Sequence, residues 1–228
     1  MLRNLSFLLL PARCLLCLAP GSHGIDLCRN CKADLPWITC ACPRCGLPMA
    51  LPGPACRTCW QAPPPFQQCI APLRYATPVD RMIQAFKQGN LLFGHTLAQL
   101  ITPEVMKGAR PDVLVPVPLH PSRRRSRGFN QALEISRVIA ADTGIPLDPA
   151  LCQRIINTPA QRLLNRQQRQ KNLRGAFIAS TRAAGQHVGL VDDVVTTGAT
   201  VSEIATTLLR AGATAVSVFA LARTPFDV

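Results

Sequence analysis

The chain has 228 residues, 48% of them hydrophobic and 16% charged, and its 25 lysines and arginines against 12 acidic residues give a formal net charge of +13. This apolar content is enough for a folded core and excludes a disordered chain. No apolar run approaches the roughly 18 residues that a membrane-spanning helix requires.

A short apolar run at residues 5–10 follows a single basic residue, Arg3. A secretory signal is one interpretation, but Pro11 and Arg13 interrupt the run early and no clear Ala-x-Ala cleavage site follows. We therefore expect a short element that packs on the neighbouring cysteine-rich module, in a cytoplasmic protein without a membrane span.

Four Cys-x-x-Cys pairs follow this run. Ten residues separate the first pair from the second, and the same spacing separates the third pair from the fourth. Each pair supplies two thiolates from one tight turn, so two pairs complete a tetrahedral structural zinc site with no open position. The sequence predicts two zinc sites in a duplicated module, with the ligands Cys14, Cys17, Cys28, Cys31, Cys42, Cys45, Cys56 and Cys59.

Two alternatives concern these cysteines. A disulfide framework is the first, although it is typical of secreted proteins and no clear export signal precedes the pairs. The second concerns the zinc ligands: sequential pairing lets each half of the module close locally, whereas a cross-braced pairing is the other arrangement. The remaining thiols, Cys40, Cys69 and Cys152, are predicted to pack as small apolar groups.

A proline run, Gln61-Ala-Pro-Pro-Pro-Phe66, follows the cysteine-rich module. It favours an extended spacer over a helix or a central strand. The change in composition on its two sides predicts two domains, a double zinc-ribbon module at residues 1–62 and a larger domain at residues 67–228.

The larger domain contains an apolar segment, 113–119, that predicts a strand and leads into His120 and a cluster of arginines. Apolar residues that recur on one face predict a helix over 131–143. A strand, a basic loop and a helix in that order are typical of anion sites in α/β proteins. His120 and Arg123 are the candidates here, although a solvated basic face is the plainer interpretation.

A second basic segment, between residues 158 and 177, contains Arg166, Arg169 and Lys171. Arginine exceeds lysine in both clusters, which favours bidentate contacts with phosphate groups. The alternative is a mobile basic loop on the surface.

Residues 188–201 are the most informative segment, an apolar run that ends in Asp192 and Asp193 and leads into Thr196-Thr-Gly-Ala-Thr200. The run predicts a buried strand, and the loop predicts the start of a helix, whose free N–H groups favour an anion. The threonine hydroxyls can donate to phosphate oxygens, and Gly198 lets the backbone approach closely. The carboxylates would accept from ribose hydroxyls or bind Mg²⁺, although acids in a first helical turn are a common alternative.

A helix over 201–211, a stop at Gly212 and a buried strand over 215–222 complete the predicted elements. Strands that alternate with helices predict an α/β fold, with a doubly wound, mostly parallel sheet and helices on both faces.

The adjacent acids and the threonine loop resemble the 5-phosphoribosyl-1-pyrophosphate (PRPP) loop of type I phosphoribosyltransferases. The resemblance implies that Asp192 and Asp193 hold the ribose 2′ and 3′ hydroxyls. It also implies a phosphoribosyltransferase-like sheet and places the 5′-phosphate on Thr196, Thr197, Gly198, Ala199 and Thr200. One departure is Gly189, where that family usually has a bulky apolar residue.

The two basic segments are similar to the pyrophosphate loop and the flexible loop of the amidophosphoribosyltransferases. This similarity implies that the residues that meet pyrophosphate are His120, Arg123, Arg166, Arg169 and Lys171.

The duplicated Cys-x-x-Cys module, Arg-Gly-Phe-Asn-Gln at 127–131 and the acid–threonine loop together resemble the ComF/GntX family over essentially the whole chain. The resemblance implies a phosphoribosyltransferase-like domain behind a double zinc ribbon, with a role in natural competence and the use of external DNA.

Two functions stay open at this point. One is transfer of phosphoribose from Mg-PRPP with release of pyrophosphate, for which the sequence indicates neither a general base nor an acceptor, so the catalytic residues are unknown. The other is non-catalytic sensing of PRPP by a protein that binds single-stranded DNA or proteins of the DNA-uptake machinery. The few aromatic platforms for a stacked base are Trp37, Trp60, Tyr75 and Phe129.

Overall fold

The computed structural model describes residues 12–22, 24–108, 110–157 and 173–225. Within these ranges the helices are α1 (Arg29–Ala33), α2 (Arg57–Gln61), α3 (Val79–Lys87), α4 (Leu91–Val105), α5 (Pro121–Arg127), α6 (Gln131–Thr143) and α7 (Ala199–Arg210). The strands are β1 (Gln68–Ile70), β2 (Leu73–Arg74), β3 (Val113–Pro116), β4 (Cys152–Arg154), β5 (Phe177–Ala179), β6 (His187–Val195) and β7 (Ala215–Arg223).

The main sheet has the strand order β1-β7-β6-β3, and β2 pairs with β7 beyond the end of β1. All of these pairs are parallel, whereas β4 and β5 form a separate antiparallel pair. The carboxyl ends of β3, β6 and β7 therefore meet at one edge of the sheet.

Helices cover both faces of this sheet, because side chains alternate between the faces along each strand. Val115 of β3 packs in a core with Ile204 of α7. The next residue toward the amino end, Leu114, packs in the opposite core with Leu97 of α4 and Ile135 of α6. The α/β fold class predicted from the sequence is confirmed.

The region after β3 differs from the prediction. The sequence predicts a loop for the first arginine cluster, but the structure has it in a short helix, α5, that begins at Pro121. Proline is favoured at the first position of a helix because its fixed φ suits the helix and its missing N–H is not needed there. The segment is therefore strand, short helix and second helix rather than strand, loop and helix.

The cysteine-rich module is duplicated in three dimensions with an offset of 28 residues. Isolated bridges join Arg13 to Pro20 in the first copy and Ala41 to Pro48 in the second, and the helices α1 and α2 follow Cys28 and Cys56. The residue after the second cysteine of each turn, Leu18 or Gly46, has a positive φ, of 63° and 69° respectively. The repeated spacing thus produces a repeated backbone geometry.

This module packs directly on the α/β sheet. Ile38 N donates to Pro72 O at 2.8 Å and Arg74 N to Pro36 O at 2.9 Å, so the segment around Trp37 lies antiparallel to β2. Leu27 and Leu35 are buried in the same core as α4 and α6. The two parts of the chain share a core, and the domain limits drawn at 62 and 67 stay a prediction.

Several predicted features lie outside the described residues, namely the apolar run at 5–10 and the basic residues Arg166, Arg169 and Lys171. None of the helices that the structure describes is long and apolar enough to cross a membrane.

Gly189 lies in β6, where the sheet has no room for a side chain. A Cβ atom there would be 2.9 Å from both Leu114 Cδ2 and Pro111 Cγ, and 3.0 Å from Phe219 Cε2. These three side chains fill the volume that a bulky residue would take, which explains the departure from the phosphoribosyltransferase pattern.

We expect Gly189→Ala to lower the free energy of unfolding by about 1–3 kcal/mol, because its tightly packed neighbours must move. Chemical denaturation followed by circular dichroism measures the loss. Gly53→Ala is the control, since its Cβ would meet only the flexible end of Met49, at 3.3 Å. Equal losses in the two variants would contradict the packing explanation.

Candidate functional site

The eight paired cysteines form two groups of four thiols. The Sγ atoms of Cys14, Cys17, Cys28 and Cys31 lie within 4.8 Å of one another, and so do those of Cys42, Cys45, Cys56 and Cys59. This is the sequential arrangement, in which each half of the module closes on itself.

The spacing of the sulfur atoms fits tetrahedral zinc. Cys17 Sγ lies 3.7 Å from Cys28 Sγ, and Cys45 Sγ lies 3.7 Å from Cys56 Sγ. Zn–S bonds of about 2.3 Å place the corners of a tetrahedron about 3.8 Å apart, whereas a disulfide needs about 2.05 Å. All eight thiols are free of disulfides, so the structure supports two Cys₄ zinc-ribbon sites.

Each group has one acidified thiol. Burial opposes ionisation, but hydrogen bonds from neighbouring backbone N–H groups prevail and lower the pKa of Cys14 to about 6 and that of Cys42 to about 7. The pKa of Cys31 is raised, mainly by its hydrogen bond with Cys17, and that of Cys59 is raised mainly by burial. Four adjacent thiolates therefore need a cation to hold them ionised, as Zn²⁺ does.

The other three thiols lie outside both groups. Burial raises the pKa of Cys69 and of Cys152 to about 12, which is the behaviour of a small apolar group. Cys40 is half-buried.

We expect the purified protein to contain two zinc ions per chain, and Cys42→Ser to retain one and to unfold locally, because three ligands no longer close a site. Metal analysis by mass spectrometry measures the content. Cys40→Ser, which alters a thiol outside both groups, is the control and should keep both ions. Two ions in Cys42→Ser would contradict the ligand assignment.

The loop after β6 leads directly into α7, a helix of 12 residues. Gly198 is the residue before the helix and has a φ of 77°, in the left-handed region that favours glycine. Thr197 Oγ1 accepts a hydrogen bond from Ala199 N at 3.4 Å. A small concavity is lined by Asp192 and residues 194–201, so the first turn of α7 and the threonine loop face the same space.

Asp192 and Asp193 lie near the carboxyl end of β6 and have different neighbours. Asp192 lines the concavity, and its Oδ1 accepts from Asp193 N at 2.9 Å. Asp193 forms an ion pair with Lys87, the last residue of α3, with 2.8 Å between Nζ and Oδ2. The two acids therefore have different partners, although their carboxyl groups also interact with each other.

Lys87 is a residue that sequence reasoning missed. It belongs to no motif, and a single lysine at the end of an amphipathic helix is usually a solvated surface residue. Its contact with Asp193 depends on the packing of α3 against the sheet, which no local pattern indicates.

Burial and the nearby Asp193 carboxylate raise the pKa of Asp192 well above its usual range, and the positive charge of Lys87 opposes this effect. A shift of this kind, caused by desolvation and a like charge at the edge of a parallel sheet, is typical of functional sites.

The raised pKa predicts how stability depends on pH. Ionisation of Asp192 opposes folding, so its cost is absent below the ordinary carboxyl pKa, about 3.9, and grows as the pH rises toward the folded-state pKa. We expect Asp192→Asn to raise the free energy of unfolding at neutral pH by about 1 kcal/mol. Denaturation at several pH values measures this, and a gain of the same size at low pH would contradict it.

The segment between β3 and α5 is held from two sides. Asn130 caps α6 through its Oδ1, which accepts from the backbone N–H of Ala132 at 3.0 Å, and its Nδ2 donates to Val117 O at 3.1 Å. His120 Nδ1 lies 2.7 Å from Ser122 Oγ and 3.3 Å from Ser122 N. The Asn of the Arg-Gly-Phe-Asn-Gln motif therefore shapes this segment.

Arg154 is a second residue that the sequence did not indicate. It is 91% buried at the end of β4, its guanidinium carbon lies 5.6 Å from the centroid of the Phe177 ring, and its Nε donates to Ile156 O at 3.2 Å. Burial and the charge of Arg123 lower the pKa of Arg154. The structure thus brings two arginines near each other beside the segment that follows β3, and Arg154 lines a cavity with Pro118 and Leu119.

Comparison with known proteins gives matches over the module and over the whole chain. Residues 5–60 match the double zinc ribbon domain. The chain is 37% identical to DNA utilization protein YhgH of Salmonella typhimurium over 226 residues, which is 95% of this chain and 99% of that protein. It is 31% identical to Competence protein F of Haemophilus influenzae over 207 residues, 86% of this chain and 90% of that protein.

Among solved structures, that of the allosteric regulatory enzyme of purine biosynthesis overlaps 57% of this chain and 26% of its own length, with 24% identity and a TM-score of 0.39. A score that low says nothing about function.

The fold and the site define a class of protein, a double zinc ribbon joined to a parallel α/β domain with an acid pair and a threonine loop at the carboxyl edge of its sheet. The similarity over nearly the full length of several relatives identifies the family within this class. The chain belongs to the ComF/GntX family.

Proposed function

We propose that this protein binds PRPP at the carboxyl edge of its sheet, in a phosphoribosyltransferase-like domain that serves the uptake and use of DNA in the cytoplasm. The observation that carries the proposal is the position of Asp192 beside the threonine loop at the start of α7. The names of the relatives, a DNA utilization protein and a competence protein, support the link to DNA.

The threonine loop is suited to the 5′-phosphate of PRPP. The first N–H groups of α7 lack acceptors within the helix, and the positive end of the helix dipole favours an anion there. Thr196, Thr197 and Thr200 add hydroxyl donors. Asp192, on the same concavity, is placed to accept hydrogen bonds from the ribose hydroxyls, and Asp193 supports it from the side of Lys87.

The segment between β3 and α5 is suited to the pyrophosphate group. The imidazole ring of His120 and the guanidinium group of Arg123 supply polar groups and positive charge beside the same edge of the sheet. Arg166, Arg169 and Lys171 would add to them, on the basis of the resemblance alone.

Asp192 and Asp193 also suit Mg²⁺, because both carboxylates are half-buried and offer the hard oxygen ligands that this ion prefers. Mg²⁺ bound with PRPP would neutralise part of the pyrophosphate charge. The charge of Mg²⁺ would also favour the ionised form of Asp192 and so oppose the effect of burial, which raises the pKa of this residue.

Two activities are compatible with this site. In transfer, a nucleophile of the acceptor attacks ribose C1, and the bond from C1 to pyrophosphate breaks as its electrons leave with the pyrophosphate oxygen. In sensing, PRPP stays intact and changes the affinity of the protein for single-stranded DNA or for an uptake protein. The sensing alternative is favoured by Trp60, which is 76% exposed on α2 and free to stack on a base, whereas Tyr75 and Phe129 pack on the core.

The first test is a calorimetric titration of Mg-PRPP into the wild type and into an Asp192→Asn/Asp193→Asn variant. We expect binding to the wild type and a loss of at least about tenfold in affinity in the variant, because the site loses the Asp192 carboxylate that accepts from the ribose and the Asp193 carboxylate that supports it. Absence of binding to a folded, zinc-loaded wild type would refute the proposal.

Pyrophosphate release then separates the two activities. Transfer predicts release when Mg-PRPP is mixed with the correct acceptor, and sensing predicts none with any nucleobase. Sensing further predicts that PRPP changes the salt-dependent retardation of single-stranded DNA, and that Trp60→Ala weakens the retardation while PRPP binding is unchanged.

A further inference from the structure

Arg223, the last residue of β7, is the largest side chain that the described part of the chain buries completely. Only 1% of the residue is exposed. An arginine is almost never buried to this degree unless its guanidinium group is fully engaged, because an unsatisfied buried charge is very costly. The hydrogen-bond acceptors of this guanidinium group therefore identify the segments that Arg223 connects.

The guanidinium group of Arg223 donates to backbone carbonyls of two segments that are distant in the chain, and to that of the next residue, Thr224, at 3.0 Å. Its Nε donates to Cys45 O at 3.0 Å. Its Nη1 donates to Val195 O at 2.9 Å and to Thr196 O, at the point where β6 becomes the threonine loop. Arg223 thus joins a ligand residue of the second Cys₄ group to the first residues of the loop.

The position of the Cys45 carbonyl depends on the second Cys₄ group. Gly46 N donates to Cys42 O at 2.9 Å, which closes the turn that contains Cys45. Metal bound by the Cys42 and Cys45 thiols would fix the two ends of this turn. The turn also packs closely against β1, since a Cβ atom at Gly46 would lie 2.7 Å from Cys69 O.

The first Cys₄ group differs in this respect. The residue of its turn that corresponds to Gly46 is Leu18, which is 75% exposed. The carbonyl of Leu18 accepts from Nη1 of Arg13, an exposed residue beside the same turn, at 3.4 Å. The first turn faces solvent, while the second faces the sheet and Arg223.

We propose that Arg223 is a positioning residue that couples the second zinc site to the threonine loop, so that metal at Cys42, Cys45, Cys56 and Cys59 holds the loop in its ligand-binding conformation. The effect on PRPP rests on the proposed function, whereas the coupling of metal to loop order does not. Loss of this metal leaves Arg223 with a mobile acceptor at Cys45, and the buried guanidinium group then holds Val195 and Thr196 less firmly.

The coupling is mutual, as any coupling between two sites must be. If the turn of the second site orders the loop through Arg223, an ordered loop also stabilises the turn. Removal of the guanidinium group should therefore loosen the threonine loop and speed the loss of zinc from the second site, with no effect on the first.

The offset of 28 residues between the repeats supplies a matched pair of variants. Cys56→Ser removes a ligand of the second site without altering the residue that Arg223 contacts, and Cys28→Ser removes the corresponding ligand of the first site. Hydrogen exchange of the backbone amides of residues 195–201 reports loop order whether or not PRPP binds. We expect exchange about tenfold faster in Cys56→Ser and unchanged, within about twofold, in Cys28→Ser.

Arg223→Met and Arg223→Lys test the connection itself. With both zinc ions retained, Arg223→Met should show faster exchange of the loop, and a chelator should remove zinc from its second site about tenfold faster than in the wild type. Arg223→Lys keeps the charge but not the forked donors, so an intermediate effect is expected. If Arg223→Met does not fold, Arg223→Lys and the two serine variants suffice.

The outcomes separate the two proposals. Equal effects of Cys56→Ser and Cys28→Ser on the loop, or an unchanged loop in the folded Arg223 variants, would overturn the coupling. If the wild type fails to bind Mg-PRPP but the loop still loosens in Cys56→Ser alone, the proposed ligand is wrong and the coupling stands. If the wild type binds Mg-PRPP and the loop loosens in Cys56→Ser alone, the affinity for Mg-PRPP should fall in Cys56→Ser and stay unchanged in Cys28→Ser.

Discussion

The parallel pairing of β6 with β7 is the constraint on which the rest of the molecule depends. Both strands have nine residues, and their register runs from His187 opposite Ala215 to Val195 opposite Arg223. Because the two strands end at the same level, the start of the threonine loop and the end of β7 occupy one small region. A slip of one residue would turn every side chain of β6 to the other face and move both acids away from their present partners.

Features with a strong local pattern could be predicted from the sequence. The helix expected over 131–143 is α6, and the eight zinc ligands follow from their spacing, because a Cys-x-x-Cys turn is itself the geometric signal. The pairing of these turns was open in the sequence, and the structure has the sequential one. The contacts of Lys87 and Arg223 could not be predicted, since each joins segments far apart in the chain; Arg223 and Cys45 are separated by 178 positions. The placement of α5 was also missed, because the arginines that dominate it have no apolar face to reveal a helix.

Asp192 and Asp193 have different electrostatic environments within one site. The chain is strongly basic, yet it places two carboxylates side by side in a strand whose other residues after His187 are apolar. Asp193 forms an ion pair with Lys87 of α3, and Asp192 lines the concavity of the threonine loop. The ion pair with Lys87 compensates the charge of Asp193. Asp192 stays in surroundings that disfavour its ionised form, so a bound cation or hydrogen-bond donor would change its ionisation.

Leu18 and Gly46 occupy equivalent positions in the two copies of the duplicated ribbon, and the space around them limits how each copy can change. Equivalent turns with the same left-handed backbone carry a leucine where the turn meets water and a glycine where it meets the carbonyl of Cys69. Any side chain at the second position would collide with β1, whereas the first position accepts a large one. The two copies are therefore free to diverge to different degrees, and the outward copy is the one in which new surface chemistry can arise without disturbing the sheet.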